Sequence, residues 1–514
     1  MLPEMTKEEI CYSCGGEPST INKTGEWRFL TPGRVERLSP CRQGCLLDGE
    51  IPAWMEAVKQ EKWEEAWQIM SQYNPFPALT GYTCFHPCTE NCNRGQLDRD
   101  IGIPEVEKAI GEWRLASSRE DKETAPAKGR VAVVGSGPAG MSCAFYLNRN
   151  GYDVTVFEKE KVTGGMFALG IPEYRLPRRI LKQELDLLEA EGIKFIAGCA
   201  VGRDIPLSEL YAEYDEVFLG PGAWKPRRAG IPGEDSAGVY NALEFLSRIN
   251  TGKPLEIADP VVVIGGGNAA VDSARSALRL SGINHVTLIY RRSRAEMPAS
   301  QEEVEAAERE GVELICNALP REIEPAGEEI ESVIFDHCIT TLSGLSVDRS
   351  RSFNRPCGTV VMALGQERDY SIFESLDRPA TIFAGGDLVS GPATVPEAIR
   401  AGRIAAMAIM AKTEGLPGPE TDLPGDSPVT FEELNLAARG SLELLDRQEA
   451  PAEEAARCLG CGTCNSCGIC YLFCPDMAVD IVDGRYELNL DYCKGCGICF
   501  KECPARALAM EGGR

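Results

Sequence analysis

The chain has 514 residues, a formal net charge of −25 and 22 cysteines, but only 3 histidines. This length predicts several domains. The strong acidity argues against a nucleic-acid or anionic-membrane partner, and the sequence has neither a run of about 18 apolar residues nor a signal-peptide pattern. We therefore expect a cytoplasmic protein. In that reducing compartment, clustered thiols indicate metal or redox centres rather than disulfides.

Residues 1–116 predict a helical domain that is rich in cysteine. Seven cysteines fall in this range, and the apolar residues between 51 and 70 recur at the spacing of amphipathic helices. Residues 117–130 are polar and charged, which predicts a linker. Because the cysteines are clustered, we expect this domain to bind a metal or redox centre.

A dinucleotide-binding fingerprint opens at residue 131. An apolar run is followed by a glycine-rich turn, a helical stretch and a second β-rich run that ends at Glu158. The glycines in the G-x-G-x-x-G spacing are Gly135, Gly137 and Gly140. The first permits a tight turn, the second lets the backbone approach a pyrophosphate, and the third lets the helix pack on the strand. We expect Glu158 to bind a ribose hydroxyl, with Gly165 just beyond it.

The fingerprint recurs in residues 261–292. The second glycine-rich turn contains Gly265, Gly267, Asn268 and Ala270. Tyr290 stands where the first copy has its acid, and Arg291 and Arg292 follow. An acidic side chain here would repel a 2′-phosphate, whereas guanidinium groups would pair with it, so this copy is expected to prefer NADP over NAD. The alternative is an arginine pair that is simply solvated.

A later segment returns the chain to the first nucleotide domain. The stretch T-I-F-A-G-G-D at 381–387 is β-rich and ends in Gly386 and Asp387, which predicts a carboxylate on the ribityl chain of a flavin. The helix expected to begin near Val395 would point its N-terminus at the flavin ring. The predicted domains are an FAD-binding domain over 131–255 and 366–412 and an inserted NADP-binding domain over 256–365.

Two cysteine runs near the C-terminus give the most specific signal in the sequence. Each has the spacing C-x-x-C-x-x-C-x-x-x-C-P, which is typical of ferredoxins whose two 4Fe-4S clusters each take the fourth cysteine of the other run. The predicted sets are Cys464, Cys467, Cys470 and Cys503, and Cys493, Cys496, Cys499 and Cys474. Paired C-x-x-C motifs also bind zinc, which is the structural alternative. We expect a ferredoxin domain over 456–514, after a connector over 413–455 with one helix near 430–446.

The chain resembles a known family over most of its length. Residues 40–412 resemble the small subunit of NADPH-dependent glutamate synthase and its relatives, which include the N-terminal half of dihydropyrimidine dehydrogenase. The resemblance is carried by the two fingerprints, N-P-F-P-A-L-T-G at 74–81, the cysteine run 84–92, G-I-P-E-Y-R-L-P at 170–177, Y-R-R-S-R-A-E-M-P-A at 290–299 and A-G-G-D at 384–387. It implies FAD at the first fingerprint, with Arg175 among the cofactor contacts, NADP(H) at the second, and 4Fe-4S clusters in the N-terminal domain. Residues 464–514 resemble the ferredoxin-type delta subunit of pyruvate:ferredoxin oxidoreductase.

The resemblance also implies ligands for the N-terminal clusters. One complete set is Cys45, Cys84, Cys88 and Glu107. For a second cluster Cys41 and Cys92 match, but the family's close C-x-x-C pair is missing. The pairs that could complete it are Cys11 with Cys14 and Cys458 with Cys461. We favour the second pair because A-A-R-C-L-G-C resembles the family's own motif, which would give four clusters, or about 16 iron atoms.

The other cysteines and the histidines have no expected role in the chemistry. Five cysteines occur singly and are expected to be buried apolar residues: Cys143, Cys199, Cys316, Cys338 and Cys357. His86 lies between two predicted ligands, and we expect it to pack rather than to bind metal.

These features together predict an α/β chain that transfers electrons. Two Rossmann-like domains, the NADP domain inserted in the FAD domain, would lie between a helical iron–sulfur domain and an α+β bacterial-type ferredoxin domain. Such a chain would pass electrons between NADP(H) and a ferredoxin-type protein as one subunit of a hetero-oligomer, and the ferredoxin tail suggests a 2-oxoacid:ferredoxin oxidoreductase as partner. The alternatives are a glutamate synthase small subunit and a non-catalytic iron–sulfur scaffold. No catalytic side chain is expected, since the hydride chemistry belongs to the cofactors.

Overall fold

The computed structural model divides the chain into two compact units. The first contains Met1–Pro77, His86–Ala116 and Thr421–Arg514, and the second contains Ala78–Phe85 and Ser117–Glu420. The structure describes residues 23–117, 127–327, 329–342, 344–375, 381–418, 427–436, 450–482 and 485–512. Within these ranges no helix is long and apolar enough to cross a membrane.

Two parallel sheets of five strands form the core of the second unit. The order in the first sheet is Phe383–Ala384, Glu216–Leu219, Arg130–Val134, Asp153–Glu158 and Lys194–Ala197. The order in the second sheet is Glu313–Cys316, Val286–Tyr290, Val261–Ile264, Thr359–Met362 and Val239–Asn241. Every residue of the strand Val261–Ile264 is buried, so it is a continuous apolar run, as parallel sheets require. Because Phe383–Ala384 returns to the first sheet, the expected insertion of one nucleotide domain in the other is confirmed.

Helices connect the parallel strands and cover the two sheets. The helices of this unit are Pro138–Arg149, Met166–Leu169, Arg178–Ala190, Leu207–Glu213, Ala242–Asn250, Asn268–Leu278, Gln301–Glu310, Asp387–Ser390 and Val395–Glu414, with 3-10 turns at Arg294–Glu296 and Ser371–Ser375. The helix Pro138–Arg149 begins with a proline, whose missing N–H would have no helical partner there. The helix Val395–Glu414 begins at a capping box of Thr394 and Glu397. Both helices therefore begin at fixed points beside the first sheet.

An antiparallel sheet follows the second parallel sheet and was not expected from the sequence. Its strands are Ala318–Ala326, Glu329–Thr341 and Gly344–Pro356. Val333 and Phe335 are fully buried and pack in one cluster with Val262 and Ile289 of the parallel sheet. A two-stranded ribbon of Lys225–Pro226 and Gln366–Glu367 pairs the two crossings between the domains.

The first unit is mostly helical. Its helices are Pro40–Gln43, Ile51–Lys59, Trp63–Met70, Pro87–Glu90, Ile103–Ala116, Pro451–Ala456, Ile469–Leu472 and Ile498–Glu502, with 3-10 turns at Gly25–Trp27 and Asn93–Gln96. The helix Pro77–Thr83 begins at the last residue of its first segment. Two antiparallel ribbons pair Leu30–Arg34 with Leu508–Gly512 and Val479–Val482 with Arg485–Leu488. Residues 30–34 and 508–512, which are far apart in the sequence, therefore pair within this unit.

Two sequence predictions differ from the structure. The strand Val239–Asn241 joins the second sheet, so that sheet begins inside the range 131–255 assigned to the FAD domain. A strand of three residues is too short to give a recognisable apolar pattern in the sequence. In place of the helix expected near 430–446, residues 431–434 form a turn, while residues 437–449 lie outside the described ranges.

Candidate nucleotide and iron–sulfur sites

The first glycine-rich turn is shaped by close backbone contacts. A side chain at Gly135 would clash with the carbonyl of Gly220, and one at Gly140 would clash with the carbonyl of Gly135. A side chain at Gly165 would clash with Gly137. A Cβ atom on Gly137 itself, however, would meet nothing closer than 3.9 Å. The protein alone therefore explains three of these glycines, whereas the second fingerprint glycine borders free space.

The second glycine-rich turn repeats this arrangement. A side chain at Gly265 would clash with the carbonyl of Ala363, whereas a Cβ atom on Gly267 would meet nothing within 4 Å. Ala270 is fully buried, as expected where the helix packs on its strand. The Asn268 side chain accepts a hydrogen bond from the N–H of Ser300 at 3.0 Å and fixes the turn from the other side.

Glu158 lies at the end of its strand and binds the first turn directly. Only 5% of the residue is exposed. Its Oε2 accepts hydrogen bonds from the N–H and the hydroxyl of Ser136 at 2.9 and 2.6 Å, and its Oε1 accepts one from the N–H of Glu160 at 2.9 Å. The carboxylate thus orders the turn, and its expected contact with a ribose stays a prediction.

Tyr290 occupies the corresponding position in the second copy and acts differently. Its ring packs so closely on Gly266 that a side chain there would clash with it, and its hydroxyl donates to the carbonyl of Glu296 at 3.0 Å. Arg291 and Arg292, which follow, are exposed. Their carbonyls are held by the Cys338 thiol at 2.9 Å and the Asn317 N–H at 3.0 Å. The two guanidinium groups therefore extend from a fixed backbone.

One cavity of about 300 Å³ brings residues of both nucleotide domains together. The predicted site residues on its wall are Gly135, Gly137, Glu158, Gly165, Arg175, Asn268, Gly386 and Asp387. Burial raises the pKa of Asp387 to about 6, and its Oδ1 accepts a hydrogen bond from the N–H of Ala393 at 3.2 Å. Thr394 and Val395 also line the cavity, so the first turn of the helix Val395–Glu414 borders it, while its expected approach to a flavin ring stays a prediction.

Arg175 is held by an ion pair that the sequence did not indicate. Its Nη1 lies 2.8 Å from Oδ2 of Asp272, which belongs to the helix of the second fingerprint, and its guanidinium lies over the ring of Phe85. Burial raises the pKa of Asp272 to about 6, and the neighbouring Arg175 guanidinium opposes this shift. Tyr174 donates to the same carboxylate at 3.3 Å. In the sequence, the only sign of this ion pair is an aspartate on the buried face of the helix Asn268–Leu278, and no spacing rule connects it with Arg175.

The eight ferredoxin-type cysteines fall on two small cavities of the first unit. One is lined by Cys464, Cys467, Cys470 and Cys503, and the other by Cys474, Cys493, Cys496 and Cys499. Each cavity therefore collects three cysteines of one run and the fourth of the other. The cysteines are grouped as the spacing predicts, and their binding of two clusters stays a prediction.

The loop of Cys458 and Cys461 has the same backbone form as the two ferredoxin runs. In all three loops, positive φ angles occur two and four residues after the first cysteine: 66° and 76° at Gly460 and Gly462, 47° and 76° at Ser466 and Gly468, and 69° and 77° at Gly495 and Gly497. The N–H of Gly460 points at Sγ of Cys458 at 3.5 Å, and that of Gly495 points at Sγ of Cys493 at 3.4 Å. Three C-x-x-C loops therefore share one conformation.

Cys41 lies close to that third loop. Burial raises the pKa of the Cys41 thiol well above its usual value, and the nearby thiols of Cys458, Cys92 and Cys461 raise it further. The hydroxyl of Ser39 lies 3.3 Å from its sulfur. The structure thus brings together the four residues of the favoured set, while Cys11 and Cys14 lie outside the described residues.

Glu107 is the most constrained residue of the remaining set. Burial raises the pKa of Cys45, and the Glu107 carboxylate contributes to that shift. Glu107 accepts a hydrogen bond from Asn74 at 3.0 Å, and its other oxygen lies 3.3 Å from Nε2 of the buried His86. Cys88 is buried in the short helix Pro87–Glu90. Cys84 follows the helix Pro77–Thr83, and its N–H donates to the carbonyl of Thr80 at 2.8 Å.

The five single cysteines are not all buried. Cys143, Cys338 and Cys357 are buried, but Cys199, which follows the strand Lys194–Ala197, and Cys316, the last residue of the strand Glu313–Cys316, are half-buried. Across the described ranges, no group of three or more His, Cys, Asp or Glu side chains could hold a single metal ion. A four-iron cluster places its thiolates on different irons, so its ligands lie farther apart than those of one ion.

Three family models match successive parts of the chain. Residues 37–119 match dihydropyrimidine dehydrogenase domain II, 4Fe-4S cluster, residues 129–402 match pyridine nucleotide-disulphide oxidoreductase, and residues 486–509 match a 4Fe-4S binding domain. The resemblance drawn from the sequence motifs is confirmed, and so is the expected fold class.

Several curated proteins are similar to this chain. The NADP(+)-dependent formate dehydrogenase subunit beta of Moorella thermoacetica is 36% identical over 424 residues, which are 72% of this chain and 59% of that protein. The NADPH-Fe(3+) oxidoreductase subunit beta of Geobacter sulfurreducens is 36% identical over 66% of this chain and 53% of its own length. The glutamate synthase [NADPH] small chain of Escherichia coli is 31% identical over 72% of this chain and 88% of its own. The chain thus spans between half and two thirds of the first two relatives. With more than half of its residues in the matching model and most of the third relative covered, the chain belongs to the pyridine nucleotide-disulphide oxidoreductase family.

Proposed function

We propose that the chain is an FAD-dependent oxidoreductase that moves electrons between NADP(H) and a protein partner through 4Fe-4S clusters. The observation that carries this proposal is the shared cavity of the second unit. Glu158 and Asp387 of the first nucleotide domain line it together with Asn268 and Asp272 of the inserted domain. Two dinucleotides bound at the two turns would therefore reach the same space, which hydride transfer requires because the reacting rings must be in contact.

The first nucleotide domain has the features that FAD needs. The space at Gly137 admits a pyrophosphate at the start of the helix Pro138–Arg149, where free N–H groups favour anions. Asp387 would accept a hydrogen bond from a ribityl hydroxyl, and the helix Val395–Glu414 would direct its positive end toward the ring. When bound, the flavin supplies the exchange between two-electron hydride chemistry and one-electron transfer.

Arg175 and Asp272 would position the two domains for that reaction. Their ion pair joins the segment 170–177 to the helix Asn268–Leu278, and both side chains are more than nine-tenths buried. A charged pair in this environment has a narrow choice of geometry, because separating it would leave a buried charge without a partner. We infer that the ion pair fixes the distance between the two nucleotide domains across the cavity. Arg175 would then be more than a cofactor contact.

Arg291 and Arg292 would select NADP(H). Their backbone is fixed by Cys338 and Asn317, while Arg294 is already paired with Glu308 at 2.6 Å. Two guanidinium groups on a fixed backbone suit a 2′-phosphate. Tyr290 places no negative charge near them.

We infer four 4Fe-4S clusters. The two interleaved ferredoxin sets would hold two, and Cys45, Cys84, Cys88 and Glu107 a third. The fourth would be held by Cys41, Cys92, Cys458 and Cys461. Its support is the proximity of Cys41 to the other three and the loop conformation that Cys458 and Cys461 share with the ferredoxin runs.

The acceptor or donor would be another protein in a hetero-oligomer. Two of the similar proteins are named as beta subunits and a third as a small chain. The partner that we propose is a 2-oxoacid:ferredoxin oxidoreductase, because residues 464–514 resemble a subunit of such enzymes. The abundance of cysteine fits the reducing conditions of the cytoplasm.

The test is anaerobic addition of NADPH to the purified chain, with flavin absorbance and reduction of a small dye as readouts. We expect the yellow colour to bleach and the dye to be reduced. The matched control is Gly137→Ala, which has room for the methyl group in the folded protein and should lose FAD and activity together. A parent protein that binds no flavin or does not oxidise NADPH would instead support the scaffold alternative.

A further inference from the structure

Residues 23–37 form a segment that contacts the ferredoxin-type cysteine segment 462–512, although the two are more than 400 residues apart in the sequence. Leu30–Arg34 pairs antiparallel with Leu508–Gly512, from Leu30 opposite Gly512 to Arg34 opposite Leu508. The pairing continues beyond the strand, because the N–H of Val35 donates to the carbonyl of Ala507 at 3.1 Å. One edge of the strand Leu508–Gly512 is therefore covered by a strand that lies near the other end of the sequence.

Contacts also extend along both sides of this strand. Before it, the N–H of Gly25 donates to the carbonyl of Asp491 at 2.7 Å, and the hydroxyl of Thr24 donates to the carbonyl of Tyr492 at 2.5 Å. After it, the N–H of Arg37 donates to the carbonyl of Gly462 at 3.2 Å. Residues 23–37 thus contact the cysteine-bearing segment at several separate points.

Glycines allow this close approach. A side chain at Gly495, between Cys493 and Cys496, would clash with the carbonyl of Leu30. A side chain at Gly462 would likewise clash with the carbonyl of Arg37. The cysteine loops are therefore shaped to receive this particular segment.

Two residues of the segment form part of the cysteine-lined cavities. Pro32 lines the cavity of Cys474, Cys493, Cys496 and Cys499, and Arg34 lines that of Cys464, Cys467, Cys470 and Cys503. Pro32 and Arg34 are two positions apart, so they face the same side of the strand. Arg34 is also anchored, because its guanidinium donates to the carbonyl of Tyr486.

We propose that residues 23–37 are a donated strand of the ferredoxin module, and that the module keeps its two clusters only while this strand closes both cavities. The inference rests on the proposed cluster assignment. Without the strand, Pro32 and Arg34 would no longer shield the cluster sites, and solvent access destabilises iron–sulfur centres and changes their potentials. The edge of Leu508–Gly512 would also become exposed.

The test compares two deletions of the full chain, purified anaerobically. The variant lacking residues 1–34 should contain about eight fewer iron atoms, equal to two four-iron clusters. The variant lacking residues 1–22 keeps the strand and should keep its iron. Both should retain FAD and reduce a dye with NADPH, because these depend on the other unit.

A synthetic peptide of residues 23–37 separates strand donation from misfolding. Reconstitution of the 1–34 deletion with iron and sulfide should restore the missing iron only when the peptide is present. Equal iron in the two deletions, or no rescue by the peptide, would overturn the proposal. Dye reduction reports separately on the proposed function. If the 1–34 deletion loses iron as expected but the protein does not oxidise NADPH, the proposed function is refuted while the donated strand is still supported.

Discussion

The two units of this chain are built in different ways. In the second unit, which we call the nucleotide unit, each glycine-rich turn lies between a strand and a helix that are its immediate neighbours in sequence. In the first unit, which we call the cysteine unit, Arg457 instead lies 2.9 Å from Asp98, and the N–H of Gly102 donates to Glu454 at 2.7 Å. These contacts join residues 359 and 352 positions apart.

We therefore expect that a substitution or deletion in one unit leaves the fold and cofactor binding of the other unit intact. The glycine-rich turns are built from local sequence, whereas the two ferredoxin-type cavities are lined in part by the strand Leu30–Arg34, which pairs with Leu508–Gly512.

Deleting residues 462–514 should give the largest separation of the two units. The variant should lose about eight iron atoms and all electron delivery to an added two-cluster ferredoxin, because the module that carries the clusters is gone. NADPH-driven reduction of a small dye should continue at the parent rate, since the dye can take electrons at the flavin. A truncated chain that still reduces the ferredoxin at full rate would show that the module is not the exit.

Arg457→Ala should destabilise the cysteine unit strongly. Arg457 is 1% exposed and pairs with Glu454 at 2.7 Å as well as with Asp98 at 2.9 Å, so its removal takes a charged hydrogen-bond partner from each of two carboxylates, at about 1.5–3 kcal/mol for each bond lost. The loss is measured by urea unfolding monitored through cluster absorbance. The urea midpoint monitored through flavin fluorescence, which reports on the other unit, should not change.

The control for that experiment is Arg485→Ala in the same unit. The Arg485 side chain is 71% exposed and lies 3.9 Å from Glu65, so we expect a change within about 0.5 kcal/mol. Equal losses in the two variants would contradict the importance of the buried contacts.

Replacing Cys458 and Cys461 by Ser should remove one cluster from the cysteine unit. Iron should fall by about four atoms, because a cluster left with two protein thiolates does not persist. Replacing Cys11 and Cys14 in the same way should leave iron unchanged. The opposite pattern would transfer the ligand role to the N-terminal pair, and no loss in either variant would mean that the fourth cluster does not exist.

In the nucleotide unit, changing Arg291 and Arg292 to Ala should reduce NADPH efficiency alone. Losing charge-assisted hydrogen bonds to a 2′-phosphate, each about 1.5–3 kcal/mol, predicts a drop of at least about tenfold in kcat/KM for NADPH. The value for NADH should hardly change, and the exposed Arg309→Ala in the same domain should leave both unaltered. A parent enzyme with equal efficiencies for NADPH and NADH would refute the assignment.

The smallest expected effect distinguishes a ligand-facing glycine from a structural one. Gly267→Ala should raise KM for NADPH about tenfold with no change in thermal stability, because the methyl group has free space until the nucleotide binds. Gly266→Ala should instead lower stability, since its methyl group would clash with the Tyr290 ring. Equal stability losses in both variants would argue that Gly267 serves the fold alone.

The sequence predicts the parts of this protein whose chemistry is local. The glycine-rich turns and the ferredoxin runs are short patterns in which each residue type has one physical reason, and the structure gathers those cysteines into two cavities. The insertion of one nucleotide domain in the other could also be predicted, because the A-G-G-D motif at 384–387 is expected in the first domain but comes after the second fingerprint.

Features that depend on distant pairing could not be predicted. The strand Leu30–Arg34 contains Pro32 and Gly33, which both disfavour a strand, and its partner Leu508–Gly512 is far away in the sequence. The ion pair of Arg175 with Asp272 depends on how two domains pack, which no spacing rule encodes. His86 is buried, and its hydrogen-bond distance to Glu107 depends on a contact between residues 21 positions apart that no motif encodes.

The most direct test of the whole account is an anaerobic NADPH titration that records flavin absorbance and low-temperature electron paramagnetic resonance on the same samples. We predict that NADPH bleaches the flavin and produces the signal of at least one reduced 4Fe-4S cluster, and that Gly137→Ala without FAD shows neither. A flavin that bleaches while every cluster stays oxidised, although dithionite reduces them, would contradict electron transfer from NADPH to the clusters.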